Sequence, residues 1–144
     1  MKTTITASLV INFILVSTVL EDAFPGFGSP LFWIGQSLVI AGAAFDLAHY
    51  RILKKRLANL ETPNELVTDA GAFRYIRHPM YLGESVVNLG FLVLAPNCFS
   101  AVTWTLFLLV IIRLSKFEDR RMSDFFGDHF SEWARQTQLL LPKP

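Results

Sequence analysis

Cysteine is nearly absent: Cys98 is the one copy among 144 residues. A lone thiol excludes an internal disulfide and any metal cluster of the Cys/His type. Charge is scarce too, at 17% against about 25% in soluble domains. Whole tracts carry no base: no Lys or Arg occurs from Thr3 through Tyr50 or from His78 through Ile112. The only acids in those tracts are Glu21, Asp22, Asp46 and Glu84. The net charge of +1 therefore averages over strong segregation and offers no basic footprint for nucleic acid. Several motifs are missing as well. No P-loop, no G-x-S-x-G elbow and no H-E-x-x-H pair occurs, and Gly26-Phe27-Gly28 precedes an apolar stretch rather than following a strand, so it is not a nucleotide fingerprint.

Apolar residues fill the gaps between the charges, with 52% of the chain hydrophobic, 13 Phe and a mean hydropathy of +0.41. Four stretches stand out: about 5–20, 31–50, 80–95 and 99–114. Their alternation with basic blocks is the pattern of a polytopic membrane helical bundle, an all-α fold with about four transmembrane helices in one domain over 1–144. Lys2 and the first stretch resemble the start of a signal peptide, but small-x-small cleavage residues are missing there, and we expect a retained helix. Pro96-Asn97-Cys98 turns the third stretch back into the fourth as a hairpin. Spans of 16 residues are short against the roughly 20 that cross hydrocarbon, so the fourth is expected to run on to Gly127, a C-cap. An amphipathic tail with Phe126, Phe130 and Trp133 at helical spacing then reads as interfacial.

The basic-loop rule orients the chain. Segments 51–79 and 115–144 are expected in the cytoplasm with both termini, and membrane lipids as neighbours. Thr62-Pro63-Asn64-Glu65 carries an N-cap, a proline at N1 and an acid at N3, a short helix start. His78 precedes proline and is biased away from helix, so Pro79 should open the third span. A helix N-terminus with Arg74, Arg77 and His78 beside it is ready for an anionic group; charge alone favours lipid anchoring for the arginines, but anchoring needs neither His78 nor Tyr81. Glu84 and Asn88 share one helix face, and Asp46 and His49 form a helix-surface pair. The hairpin brings Glu118-Asp119 to the level of His78, so cations face carboxylates across it. Such a cluster suits a zwitterion or a structural salt-bridge network.

The run Gly71-Ala72-Phe73-Arg74-Tyr75-Ile76-Arg77-His78-Pro79-Met80-Tyr81-Leu82-Gly83 resembles the G-x-Y-R-x-x-R-H-P-x-Y-x-G segment of the isoprenylcysteine carboxyl methyltransferase and phospholipid methyltransferase superfamily. Glu118-Asp119-Arg120, Phe126-Gly127, Phe130 and Trp133 resemble its second motif, and Leu141-Pro142 its closing segment. The resemblance implies a membrane methyltransferase using S-adenosyl-L-methionine, with no metal. It implies cofactor contacts at Thr68, Phe73, Arg77, His78, Pro79, Met80 and Tyr81, with Glu118 at the cofactor's amino group. It implies a lipophilic acceptor, foremost an isoprenylcysteine carboxylate held by a tail arginine, for which Arg113 is the nearest match. Phe73 stands for the usual Tyr, Asp119 for a second Glu, and Phe130 and Trp133 for tyrosines. A phospholipid amine as acceptor, a reductase sharing R-H-P-x-Y, and a scaffold without activity remain open.

Overall fold

The computed structural model describes residues 26–57 and 65–141. The stretch at about 5–20 and the helix start at Thr62–Asn64 lie outside the described residues. Those described form four α-helices: α1 (Pro30–Arg56), α2 (Pro79–Leu94), α3 (Cys98–Phe126) and α4 (Asp128–Gln136), with a 3-10 turn at Gly71–Arg74. The β pairing among the described residues is one parallel bridge, Ile76 to Gln138.

Local chemistry sets the helix ends. Ser29 caps α1 by accepting the Leu31 N–H at 3.3 Å, Pro30 fills N1, and Lys54, Lys55 and Arg56 occupy the last turn, where cations favour the helix dipole. Pro79 opens α2 as expected, with His78 at the N-cap. Asn97 caps α3 by accepting the Ser100 N–H at 2.9 Å. Gly127 ends it at φ +56, a backbone conformation that glycine adopts freely. The apolar stretch at 99–114 thus belongs to a 29-residue helix, roughly 40 Å long. α2 stays at 16 residues.

α1 and α3 are each long and apolar enough to cross a membrane. Their apolar side chains point outward: Trp33, Ile34, Ile40 and Leu47 on α1, and Val102, Leu106, Leu109 and Val110 on α3, are all exposed. An apolar surface of this extent is stable against lipid rather than water.

The tightest packing joins α1 to α2, and glycine makes it possible. Gly35 and Gly42 on α1 face Gly90 and Gly83 on α2. A Cβ on Gly42 would meet the Gly83 carbonyl at 2.7 Å and Val87 N at 2.8 Å; one on Gly90 would meet the Gly35 carbonyl at 2.8 Å. Small residues let helix backbones touch where lipid leaves no hydrophobic drive for association. The short α2 is thereby covered along its length, with Tyr81, Gly83, Glu84, Val87, Asn88, Gly90 and Leu94 all buried.

The far end of α1 holds the connecting loop. Arg56 pairs with Glu65 at 3.0 Å and with Asp69. His49 is buried; its Nδ1–H donates to the Phe45 carbonyl at 2.8 Å, and its Nε2 accepts the Ala72 N–H at 3.0 Å. The expected surface pair with Asp46 is therefore not His49's main role. It pins the 3-10 turn, where Gly71 has φ +55 and a Cβ would lie 3.0 Å from His49 Nε2.

Candidate active site

The residues Tyr75–His78 and the tail after α4 are joined by backbone hydrogen bonds around the Ile76–Gln138 bridge. Gln138 N–H donates to the Tyr75 carbonyl, Arg77 N–H to the Gln138 carbonyl at 2.8 Å, and His78 N–H to the Leu139 carbonyl at 3.1 Å. Backbone amides next to Pro79 are thus satisfied by the tail. α4 is held against the same place. Phe130 is buried, and Trp133 Nε1–H donates to the Phe73 carbonyl at 3.1 Å. Phe130 packs inward and Trp133 is half-buried, so the two do not form an exposed interfacial belt; Tyr75, Phe117 and Phe125 are exposed.

Arg77 turns inward. Its Nε–H donates to Asp119 Oδ2 at 3.0 Å, and its Nη1 donates to the carbonyls of Ala134 and Thr137 at 3.0 and 2.7 Å. It clasps α3 and the end of α4 to the start of α2, so lipid anchoring does not describe it. Arg74, exposed, donates to the Asp69 carbonyl.

His78 lies between the two tail carboxylates. Its Nε2–H donates to Asp119 Oδ1 at 2.8 Å, and Nδ1 stands 3.6 Å from Glu118 Oε2. Its ring stacks on Tyr81 at 5.5 Å. Asp119 therefore uses one oxygen on Arg77 and the other on His78, and the shorter side chain reaches both. Glu118 is different. The Tyr81 hydroxyl is directed at its carboxylate without closing to a well-formed hydrogen bond, and Tyr81 Oη and Glu118 Oε1 are both buried. Buried polar atoms are almost always paired, and these two are left with hydrogen-bonding capacity that the described residues do not fill.

Of the residues named from sequence, the structure brings together Arg77, His78, Tyr81 and Glu118, with the buried Pro79 and half-buried Met80 beside them. Phe73 is buried against His49, ring centroids 5.7 Å apart. Thr68 lies elsewhere, in an open groove of about 240 Å³ with Arg74, His129, Glu132, Trp133 and Gln136. Arg113 is exposed. It precedes Glu118 by five residues, about 140° around the helix, and so is not brought to the cluster. Two further acids stand near the cluster, the buried Glu84 from α2 and the half-buried Asp46 from α1, whose Oε2 and Oδ1 are buried without a hydrogen bond. The sequence singled out both without assigning them to the site. Their signal was that ionisable side chains in apolar helices face a bundle interior.

A family model described as phospholipid methyltransferase matches residues 30–129. Among curated relatives, methanethiol S-methyltransferase of Mycobacterium tuberculosis is 28% identical over 120 residues, covering 79% of this chain and 48% of that protein. Protein-S-isoprenylcysteine O-methyltransferase of Schizosaccharomyces pombe is 30% identical over 145 residues, covering 94% of this chain and 54% of that protein. Methanethiol S-methyltransferase of Pseudomonas deceptionensis is 26% identical over 125 residues, covering 78% and 44%. The chain thus spans about half the length of these relatives. No solved structure matches it. With the matched region running from the first residue of α1 into α4, over the glycine seam and the Arg77–Asp119 clasp, the chain belongs to the phospholipid methyltransferase family.

Proposed function

We propose that the chain is an S-adenosyl-L-methionine-dependent methyltransferase acting at the cytoplasmic boundary of a membrane on an acceptor that arrives from the lipid. The observation that carries this reading is the pair of buried polar groups Glu118 and Tyr81, with hydrogen-bonding capacity left over beside the N-terminus of α2. That geometry fits an amino-acid head group. Glu118 would take its ammonium, while the first turn of α2 with its unpaired N–H groups and positive end would take its carboxylate. His78 Nδ1 stands 3.6 Å from the other Glu118 oxygen, and the His78 ring stacks on Tyr81. When bound, the cofactor supplies an electrophilic methyl group. The chain's own work is to align the two reactants and keep water away.

The resemblance implies an isoprenylcysteine-type carboxylate as acceptor, and the fission-yeast relative carries that activity in its name. Two other relatives are named for a thiol, and the family description names phospholipid. Arg113, the arginine meant for a carboxylate, stands away from Glu118, so the acceptor's chemistry is better read from the groups that do face the site.

Calorimetric titration of the detergent-solubilised chain with S-adenosylhomocysteine tests the cofactor. Binding is expected, and His78→Ala and Glu118→Ala should each weaken it by about tenfold or more, about 1.4 kcal/mol. A reduced nicotinamide cofactor should not bind. Unchanged homocysteine-product affinity in both variants would remove the site described here.

A further inference from the structure

Of the three histidines, His49 is the buried one, 6% exposed on α1. Both of its ring nitrogens are engaged, and their partners fix where the proton sits. A carbonyl can only accept and a backbone amide can only donate. Nδ1 therefore carries the hydrogen toward the Phe45 carbonyl, and Nε2 is the bare acceptor for the Ala72 N–H. Phe45 and Phe73 flank the ring, with centroids at 4.3 and 5.7 Å. The peptide unit that His49 holds is a junction. The Ala72 carbonyl accepts from Tyr75 N–H at 3.0 Å and from Ile76 N–H at 2.9 Å. The next carbonyl, that of Phe73, accepts Trp133 Nε1–H from α4 at 3.1 Å. Ile76, 2% exposed, bridges to Gln138, and His78 follows as the N-cap of α2. Segment 71–78 is thus tied at its start to α1 and α4, and its far end carries Arg77 and His78 into the carboxylate cluster.

We propose that His49 is a positioning residue for the cofactor site, acting through its acceptor Nε2, the Gly71–Arg74 turn and the backbone that runs from that turn to His78. This rests on the methyltransferase reading above. The glycine seam sets α2 against α1 from Gly83 onward, but it does not reach the chain before Pro79. His49 supplies a second fixed point on the same helix, on the other side of His78. The two points bracket the residue whose ring lies 2.8 Å from Asp119 and 3.6 Å from Glu118. The choice of side chain follows from this task. It must donate to a carbonyl of its own helix and accept an amide from the turn. Neutral imidazole does both from its two nitrogens, and the carboxamide of Gln has the same pair of functions at similar reach. An apolar side chain fills the space but leaves the Ala72 N–H without its partner, and backbone donors inside a fold are seldom left so. The turn would then seat less firmly, and the start of α2 would meet a ligand in more than one arrangement.

The test compares His49→Gln, which keeps an acceptor, with His49→Leu, which keeps bulk alone, in the full detergent-solubilised chain. Titration with S-adenosylhomocysteine is expected to place His49→Gln within about threefold of the wild type and His49→Leu about tenfold weaker. Trp133→Phe keeps a ring but loses the Nε1–H, and it should weaken binding by about threefold. Combining it with His49→Leu should cost less than the product of the two single effects, because both side chains hold one turn. Each variant should melt within about 4 °C of the wild type, so that lost affinity is not lost fold. Backbone hydrogen exchange gives a readout that needs no ligand: peptides spanning 71–78 should exchange faster in His49→Leu than in His49→Gln or the wild type. Equal affinity in the Leu and Gln variants overturns the proposal, since bulk alone, or the imidazole itself, would then be what matters. Faster exchange or a lower melting temperature with unchanged affinity overturns it too, leaving His49 a purely structural residue. Absence of binding by the wild type would instead remove the cofactor reading, while the exchange comparison still shows whether His49 seats the turn, so the two failures are told apart.

Discussion

α2 meets its two neighbours by opposite means. Against α1 the contact is backbone on backbone, through Gly35, Gly42, Gly83 and Gly90, and the nearest groups are carbonyls and amides. Against α3 at its start, the contact is made by long charged side chains, Arg77 and His78 reaching Asp119. A glycine seam has one solution, because backbones cannot adjust. A side-chain junction has several, because rotamers can. The molecule places its rigid contact beside the acids Asp46 and Glu84 and its adaptable contact beside the buried atoms Glu118 Oε1 and Tyr81 Oη. That division suits a site whose inner wall must hold still while its outer wall receives a ligand.

The comparison breaks first at the seam. Gly42→Leu places a Cβ 2.7 Å from the Gly83 carbonyl and 2.8 Å from Val87 N, neither of which can rotate away. Overpacking of this kind costs about 3 kcal/mol or more, and thermal unfolding in detergent should register it as the largest loss among the single substitutions described here. If Gly42→Leu melts with the wild type, the helices can part without penalty and the rigid-wall argument fails.

A second effect separates the two tail acids. Asp119→Ala leaves the Arg77 guanidinium and His78 without their carboxylate, in a place where the side chains are 15% and 11% exposed. The expected cost is about 2 kcal/mol in the same unfolding measurement. Glu118→Ala removes a carboxylate with an unpartnered oxygen and should cost about 0.5 kcal/mol or less, its loss appearing in product binding instead. Equal destabilisation by both would show that the two carboxylates share one structural task.

Local signals carried the parts of this structure that depend on a few neighbouring residues. Pro79 after His78 and Gly127 after Phe126 each specify a helix end within a turn of chain, and each stands where expected; Asn97, expected as part of a turn, also caps α3. The tertiary contacts were less legible. Gly35 and Gly42, like Gly83 and Gly90, are seven apart, but a seven-residue spacing of glycine becomes a seam only when two helices take one register. Arg77 reads as a lipid anchor by position and as a clasp only once Ala134 and Thr137 are seen to offer carbonyls from 57 and 60 residues away. His49 likewise reveals its task through Ala72, 23 residues on. The Glu118-Asp119 pair was readable as a unit, but its division into a held acid and a free one depends on side-chain directions that sequence does not encode.

The smallest effect belongs at the loop that leaves α1, a third kind of contact in which both partners stay at the surface. Asp69 accepts from Arg56, and this bond, ahead of a backbone hydrogen bond and the nearby charges of Arg56 and Arg74, holds its carboxyl below the usual carboxylate range. A carboxyl lowered by folding stabilises the folded chain above its unfolded value of about 3.9, and that contribution is lost as pH falls through the lower folded value. With both groups exposed, water screens most of it. Asp69→Asn should therefore lower the melting temperature slightly at neutral pH, with the gap closing in acid, as followed by melting curves of both chains from about pH 7 to about pH 2.5. A gap that stays constant with pH would mean that Asp69 acts through the shape of the Gly71 turn, and the loop would then join the glycine seam as rigid support for the start of α2.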